Sequence, residues 1–139
     1  MIRDEILSLK ADSEDSGAGL NAIVDEFRGG RRIREIFALL SDGDAELVSV
    51  GVWILYELPF ESYATRDFIE RLYELVEHYD ARVRFGALGA LFPALRADDQ
   101  RTKDLLKNLR DDPDEGVRMS ADAAAARLFG SKGRRGPAG

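Results

Sequence analysis

Residues 80–87 read DARVRFGA and residues 114–121 read DEGVRMSA, so both obey the pattern D-x-x-V-R-x-x-A. A looser copy, DAELVSVG, occupies residues 44–51. Aligned on their aspartates, the copies superpose Asp44, Asp80 and Asp114, then Leu47, Val83 and Val117, then Gly51, Ala87 and Ala121. The copies are 36 and 34 residues apart, the period of a stacked two-helix unit. A single helical hairpin cannot bury its apolar face, but neighbouring hairpins close one continuous core. The eight-residue phrase therefore predicts three helical pairs whose second helices meet the same packing problem. The small residues Gly51, Gly86, Ala87, Gly89, Ala90, Ser120, Ala121 and those at 123–126 predict close helix approach. Gly86 and Gly89 each cost about 1 kcal/mol of helix propensity relative to Ala, which a close contact offsets.

The rest of the chain repeats apolar residues at helical spacing. Leu20, Ile23, Val24 and Phe27 form one stripe, Ile33, Ile36, Phe37 and Leu40 the next, and Phe68, Ile69, Leu72, Tyr73 and Val76 another. No strand alternation bounded by hairpin turns occurs, so the fold class is all-α. Breaks fall where helix ends require them: Gly29–Gly30, the turn Ser41-Asp42-Gly43-Asp44, and Pro59. Asp80 fits an N-cap. In Asp112-Pro113-Asp114-Glu115, the expected assignment is Asp112 at the N-cap, Pro113 at the first helical position and Glu115 closing a capping box.

The motif D-x-x-V-R-x-x-A, with its spacing, resembles that of HEAT-like repeat proteins, including the short bacterial type, over residues 31–129. The resemblance implies a short right-handed α-α superhelix of about three helical-hairpin repeats, with residues 1–30 as an N-terminal helical cap and residues 130–139 as a flexible basic tail. It also implies a ladder in which Arg84 and Arg118 bond aspartates of adjacent repeats, drawn from Asp44, Asp80 and Asp114. Val48 stands at the arginine position of the first repeat and interrupts that pattern.

A chain of 139 residues is the size of one domain, with roughly 65–70% of its unfolded surface buried on folding. It has no cysteine, which excludes disulfides, thiolate metal sites and a cysteine nucleophile and fits a reducing, cytoplasmic setting. The first ten residues, MIRDEILSLK, lack the apolar region of a secretory signal. The longest near-apolar run, VSVGVWILY at 48–56, is short of the ~20 residues that a membrane helix needs. Net charge is −6; residues 130–139 contribute Lys132, Arg134 and Arg135 and no acid, which leaves −9 on residues 1–129. An acidic body disfavours nucleic acid and attracts basic protein partners.

Catalytic and cofactor patterns are weak. His78, the one histidine, has no nucleophile or orienting partner in its neighbourhood; as a cation near a helix C-terminus it fits a structural role. DSEDSGAGLNAI at 12–23 begins like a calcium loop but ends in Ile23 where a bidentate Glu belongs; an N-cap at Asp15 or Ser16 accounts for it. FRGGRRIRE at 27–35 is basic and Gly-rich, but it lacks the strand and the Lys-Ser/Thr of a phosphate loop. The expectation is no enzyme activity and no cofactor.

Trp53 and Tyr56 project away from the Leu47 core stripe on a helical wheel. Two roles are open for Trp53: insertion against Gly86 and Gly89, or exposure as a binding anchor. Within-repeat turns at 41–46, 78–80 and 111–115 place Asp42, Asp44, Glu46, Asp80, Asp111, Asp112, Asp114 and Glu115 along one edge, with Asp42, Glu46 and Asp111 surplus to capping. This edge and the Trp53–Tyr56 surface are the expected partner-binding site. The expected function is a small acidic inhibitor, similar to bacterial immunity or antitoxin proteins, that covers a basic partner such as a toxin. The alternative is a HEAT-like scaffold or assembly factor for an enzyme.

Overall fold

Three aspartates start three helices. The Asp44 carboxylate accepts the Glu46 N–H at 2.9 Å, Asp80 accepts the Arg82 N–H at 2.8 Å, and Asp114 accepts the Val117 N–H at 2.9 Å. Each carboxylate satisfies a backbone donor that the helix itself leaves unpaired. In the computed structural model, which describes residues 2–11 and 16–130, these caps open α4 (Ala45–Glu57), α6 (Ala81–Leu91) and α8 (Glu115–Ala125). The remaining helices are α1 (Ile2–Ala11), α2 (Ser16–Arg28), α3 (Arg34–Leu40), α5 (Arg66–Leu75) and α7 (Gln100–Leu109). No strand occurs among the described residues. Asp12, Glu14 and Asp15 of the calcium-like segment, and residues 131–139 of the basic tail, lie outside the described residues.

Helix ends follow the sequence signals closely. Gly30 has φ +114°; its N–H donates to the Phe27 carbonyl, and the Arg31 N–H reaches back to the Glu26 carbonyl at 2.9 Å. This double closure of α2 needs a left-handed residue, and glycine adopts that conformation without steric cost. Leu58 caps α4 in an extended conformation, and Pro59 follows it. Asp99 opens α7 by accepting from Thr102.

Helix α3 packs on α4, α5 on α6 and α7 on α8, while α6 lies against both α4 and α8. Helix α1 touches α2 and α3. The core runs from Ile6 through Ile36, Leu47, Ile54, Leu72, Val83, Leu91 and Leu106 to Val117. Phe68 meets Phe37 edge-on at 5.1 Å between ring centres. The buried Tyr63 donates its hydroxyl to the Ala90 carbonyl at 2.7 Å and ties the α4–α5 connection to α6.

The turns repeat more than their caps. Two residues before each capping aspartate, a side chain accepts that aspartate's own N–H: Asp42 at 2.9 Å, His78 through Nδ1 at 3.0 Å and Asp112 at 2.9 Å. Asp112 is therefore not the N-cap of α8. Asp114 is, Pro113 precedes the helix and Glu115 is its first residue. His78 serves as a turn acceptor through Nδ1, with its ring stacked on Tyr79.

The arginine ladder differs from its expected form. Arg84 grips Asp112 with two bonds of 2.8 Å, one turn further along the chain, and not Asp44, Asp80 or Asp114. It also donates to the carbonyls of His78 and Tyr79. Arg118 makes the equivalent carbonyl bonds, to Asp112 and Pro113, and among the described residues no bond to an aspartate side chain. Arg3 of α1 bonds Asp42 at 2.7 Å, so the turns at Asp42 and Asp112 each receive an arginine from a preceding helix. Among the described residues, no arginine of a preceding helix reaches the turn between them: His78 stands at the aspartate position and the buried Val48 at the arginine position. Both halves of that rung are missing together.

Candidate functional site

The helices α4, α6 and α8 present a shared face away from α3, α5 and α7. On α4, burial of Leu47, Val48, Gly51, Val52, Ile54 and Leu55 against neighbours turns Ser49, Trp53 and Tyr56 outward at spacings of four and three, one helical stripe. On α6, the same logic leaves Arg82, Phe85, Gly86 and Gly89 on the surface side. Ser120 of α8 completes the rim. Together these residues enclose an open cavity of about 380 Å³. A shallower extension continues past Gly89 to Phe92, Ala123 and Arg127, so the groove follows α6 along its length.

Glycines form the groove's floor because their neighbours occupy the space of a side chain. A Cβ on Gly86 would lie 2.5 Å from Cγ2 of Val52, and one on Gly89 would lie 3.1 Å from the Tyr56 ring. Val52 and Tyr56, not Trp53, therefore fill the positions over the two glycines. Trp53 is half-buried and lines the cavity. Tyr56 is 61% exposed and Phe85 52%, so two aromatic side chains open on this face.

Charge is arranged around one mouth of the groove. Arg82 pairs with Asp80 at 2.9 Å. The hydrogen bond to Asp80 holds the guanidinium more firmly charged than usual, with further support from the charges of Asp80, Glu46 and Asp44. In return, Arg82 draws the Asp80 carboxyl down to about 2. Asp80 thus pairs with the guanidinium that lines the cavity, and the charges of Glu46 and Asp44 act on it as well.

No protein-family model, curated protein or solved structure matches this chain.

The residues singled out from sequence divide into three groups. Trp53 and Tyr56 line the groove; Asp80 pairs with Arg82 on its wall, whereas Asp44 and Glu46 stand at the start of α4 and are not among its lining residues. Asp111, Asp114 and Glu115 lie at the α7–α8 turn, where Asp114 is committed to its cap. Asp112 and Asp42 leave the expected surface stripe: Asp112 is 7% exposed and gripped by Arg84, and Asp42 holds the Asp44 N–H and Arg3. Hydrogen bonds to these partners, led by Arg84 for Asp112 and by the Asp44 N–H for Asp42, hold both carboxyls below the ordinary aspartate range. Asp42 is therefore not surplus to the turn.

The basic segment at 27–35 is also engaged internally. Arg31 bonds Glu5, Glu26 and Glu35 at 2.5–2.9 Å and fastens α1, α2 and α3 together. Arg34 pairs with Asp67 and lies over the Phe37 ring. Sequence reasoning missed Phe85, Arg82 and Ser120. Phe85 and Met119 occupy the same place in their copies of the repeated phrase, outside the core stripe, and both are exposed; a large apolar residue there was the available signal.

Among the described residues, no cluster of three acids or histidines is arranged to hold a metal ion. No helix among them is long and apolar enough to cross a membrane.

Proposed function

We propose that this chain is a non-enzymatic protein-binding module, a short HEAT-like stack of three helical pairs that inhibits a basic protein partner in the manner of an immunity or antitoxin protein. The observation that carries the reading is the groove over α6: exposed Tyr56 and Phe85 beside half-buried Trp53, with Arg82 on its wall paired to Asp80 and the charges of Glu46 and Asp44 acting on that arginine. Aromatic anchors inside a polar rim are the usual composition of an interface centre. Acidic groups beside them steer a basic partner and raise its association rate. Recurrence of the D-x-x-V-R-x-x-A phrase, with the same carbonyl bonds from Arg84 and Arg118, supports the repeat stack.

The test begins with affinity capture from the native host and proceeds to the purified binary complex. Phe85→Asp is expected to abolish the complex while leaving the melting temperature within a few degrees, because Phe85 is exposed. Glu115→Gln with Asp111→Asn is expected to slow association at low salt. A purified partner that is acidic, or that binds Phe85→Asp with unchanged affinity, would defeat the proposal.

A further inference from the structure

Among the described residues, the arginines that lie over aromatic rings are paired with carboxylates in every case but one. Arg31 over Phe27 bonds Glu35 at 2.7 Å, and Arg34 over Phe37 pairs with Asp67. Arg71, also over Phe37, bonds Glu74 at 2.9 Å, and Arg101 over Tyr73 bonds Glu70 at 2.7 Å. Arg127 lies 5.2 Å from the Phe92 ring centre and has no carboxylate partner among the described residues. The ring attracts the cation through its negative face, and the planar fork of N–H donors matches the two oxygens of a carboxylate.

Arg127 belongs to the groove. It lines the extension with Phe92 and Ala123, and the extension shares Tyr56, Gly89 and Ser120 with the main cavity. The charged side chains lining this continuous surface are Arg82 and Arg127, and no acid lines it. Arg82 is already matched to Asp80 by two side-chain bonds, whereas Arg127 is not matched. On a chain with 26 acidic residues against 20 basic ones, an aromatic groove walled by arginine and by no carboxylate is complementary to an anionic group. Building on the proposed binding role, we infer that the groove takes an extended segment of the protein partner, with an aromatic side chain in the cavity among Trp53, Tyr56 and Phe85 and a carboxylate on Arg127.

The dimensions fit a short stretch of chain. Arg82 and Phe92 mark the two ends of the groove on α6, which makes it about 15 Å long at the rise of a helix. That is the span of about four to five extended residues. The cavity, about 380 Å³, lies at the small end of ligand pockets and holds one aromatic side chain, which gains from edge or offset contact with rings beyond the area it buries. The hydroxyls of Ser49 and Ser120 on the wall can donate to or accept from backbone groups of the segment. The carboxylate is one local group of that segment and is compatible with a net positive charge on the partner as a whole.

The experiment titrates blocked tetrapeptides into the full chain at constant ionic strength: acetyl-Phe-Leu-Ala-Glu amide, its reversed-order isomer, the Gln and Lys counterparts of each, and versions with Ala in place of Phe. Binding is read from the fluorescence of Trp53, the one tryptophan, and from NMR shifts of its indole and of the Arg127 guanidinium. In at least one chain direction the Glu peptide is expected to bind at least threefold more tightly than its Gln counterpart and at least fivefold more tightly than the Lys one. Ala in place of Phe should weaken binding at least threefold. Arg127→Gln, at an exposed position, should erase the preference for Glu over Gln while leaving the melting temperature unchanged, and Phe85→Ala should weaken every peptide. Equal binding of the Glu and Gln peptides in both directions, a Glu preference that survives Arg127→Gln, or no saturable response would overturn the carboxylate site. A purified complex that Phe85→Asp abolishes and Arg127→Gln leaves unchanged would overturn this inference alone, whereas a complex indifferent to Phe85→Asp would defeat the protein-binding proposal itself.

Discussion

Arg84 reaches from α6 to the next turn of the chain and grips the buried carboxylate of Asp112 through Nε and an Nη nitrogen, each at 2.8 Å. The same Asp112 accepts the Asp114 N–H, so one carboxylate fixes both the turn before α8 and its distance from α6. Removing one member of such a pair leaves the other charge buried without compensation, which costs about 3 kcal/mol or more. Arg84→Ala is expected to lower the free energy of unfolding by that amount, read from the shift in denaturant midpoint multiplied by the m-value. Arg84→Lys should recover only part of it, because an ammonium cannot make the paired bond.

This pair also fixes a pH dependence. Arg84 holds the Asp112 carboxyl below its ordinary value of 3.8. A depressed folded-state pKa means that the stabilisation is present above the unfolded value and is lost as pH falls through the folded one. Wild-type stability should therefore drop on acidification below about pH 4, and Asp112→Asn should be less stable near neutrality yet flatter through that range. Denaturant midpoints at pH 7, 4 and 2.5 check both parts.

Gly86 and Gly89 separate two consequences of adding a methyl group. Alanine in a helix gains up to about 1 kcal/mol over glycine. At position 86 the new Cβ would meet Val52 at 2.5 Å, and Val52 is short, stiff and only 1% exposed. Overpacking of this kind costs about 1–3 kcal/mol, so Gly86→Ala should be net destabilising and Gly86→Leu severely so. At position 89 the neighbour is the exposed Tyr56 ring, which can swing outward. Gly89→Ala should leave the melting temperature unchanged or raise it, and equal losses at both sites would contradict the packing described for the groove floor.

Tyr63 links the α4–α5 connection to α6, and burial raises its hydroxyl from 10 to about 12. For a group whose folded pKa is raised, the stabilisation is complete below the unfolded value and is lost as pH rises above it. The alkaline limb of the stability profile should thus begin near pH 10 and steepen toward 12. Tyr63→Phe should cost about 1–2 kcal/mol at neutral pH, since the Ala90 carbonyl loses its donor, and should flatten that limb.

The helical class was legible in the chain because apolar spacing and caps are local signals. Asp44, Asp80 and Asp114 stand two to three residues from the N–H groups they satisfy, and Pro59 and Gly30 sit at helix ends for reasons of backbone geometry alone. What escaped was set by tertiary competition. Asp112 beside Pro113 has the local pattern of an N-cap, but Arg84, 28 residues away, claims its carboxylate. The groove was half legible: Trp53 and Tyr56 departed from the core stripe, whereas Phe85 looked like one more apolar residue until α4 and α8 were placed on either side of it. The acidic edge was overcounted because sequence does not distinguish a solvated carboxylate from one held by Arg3 or Arg84.

The missing rung between the first two turns offers the most direct test of the ladder. At Asp42 and Asp112 an aspartate accepts an arginine from a preceding helix; at the corresponding positions of the middle turn stand His78 and the buried Val48, which is 1% exposed. Val48→Arg alone forces a charge into an apolar site with no partner, and should cost several kcal/mol. His78→Asp alone retains an acceptor for the Asp80 N–H, and should cost little. Together they recreate the Arg84–Asp112 pair one unit earlier. The double variant should be more stable than the sum of the single changes by at least about 1 kcal/mol, within the coupling range of contacting residues. Thermal or urea melts of the four proteins give this coupling. Strict additivity would mean that the pair does not form there, and that the repeated turn is a local cap without the long reach found at Arg84.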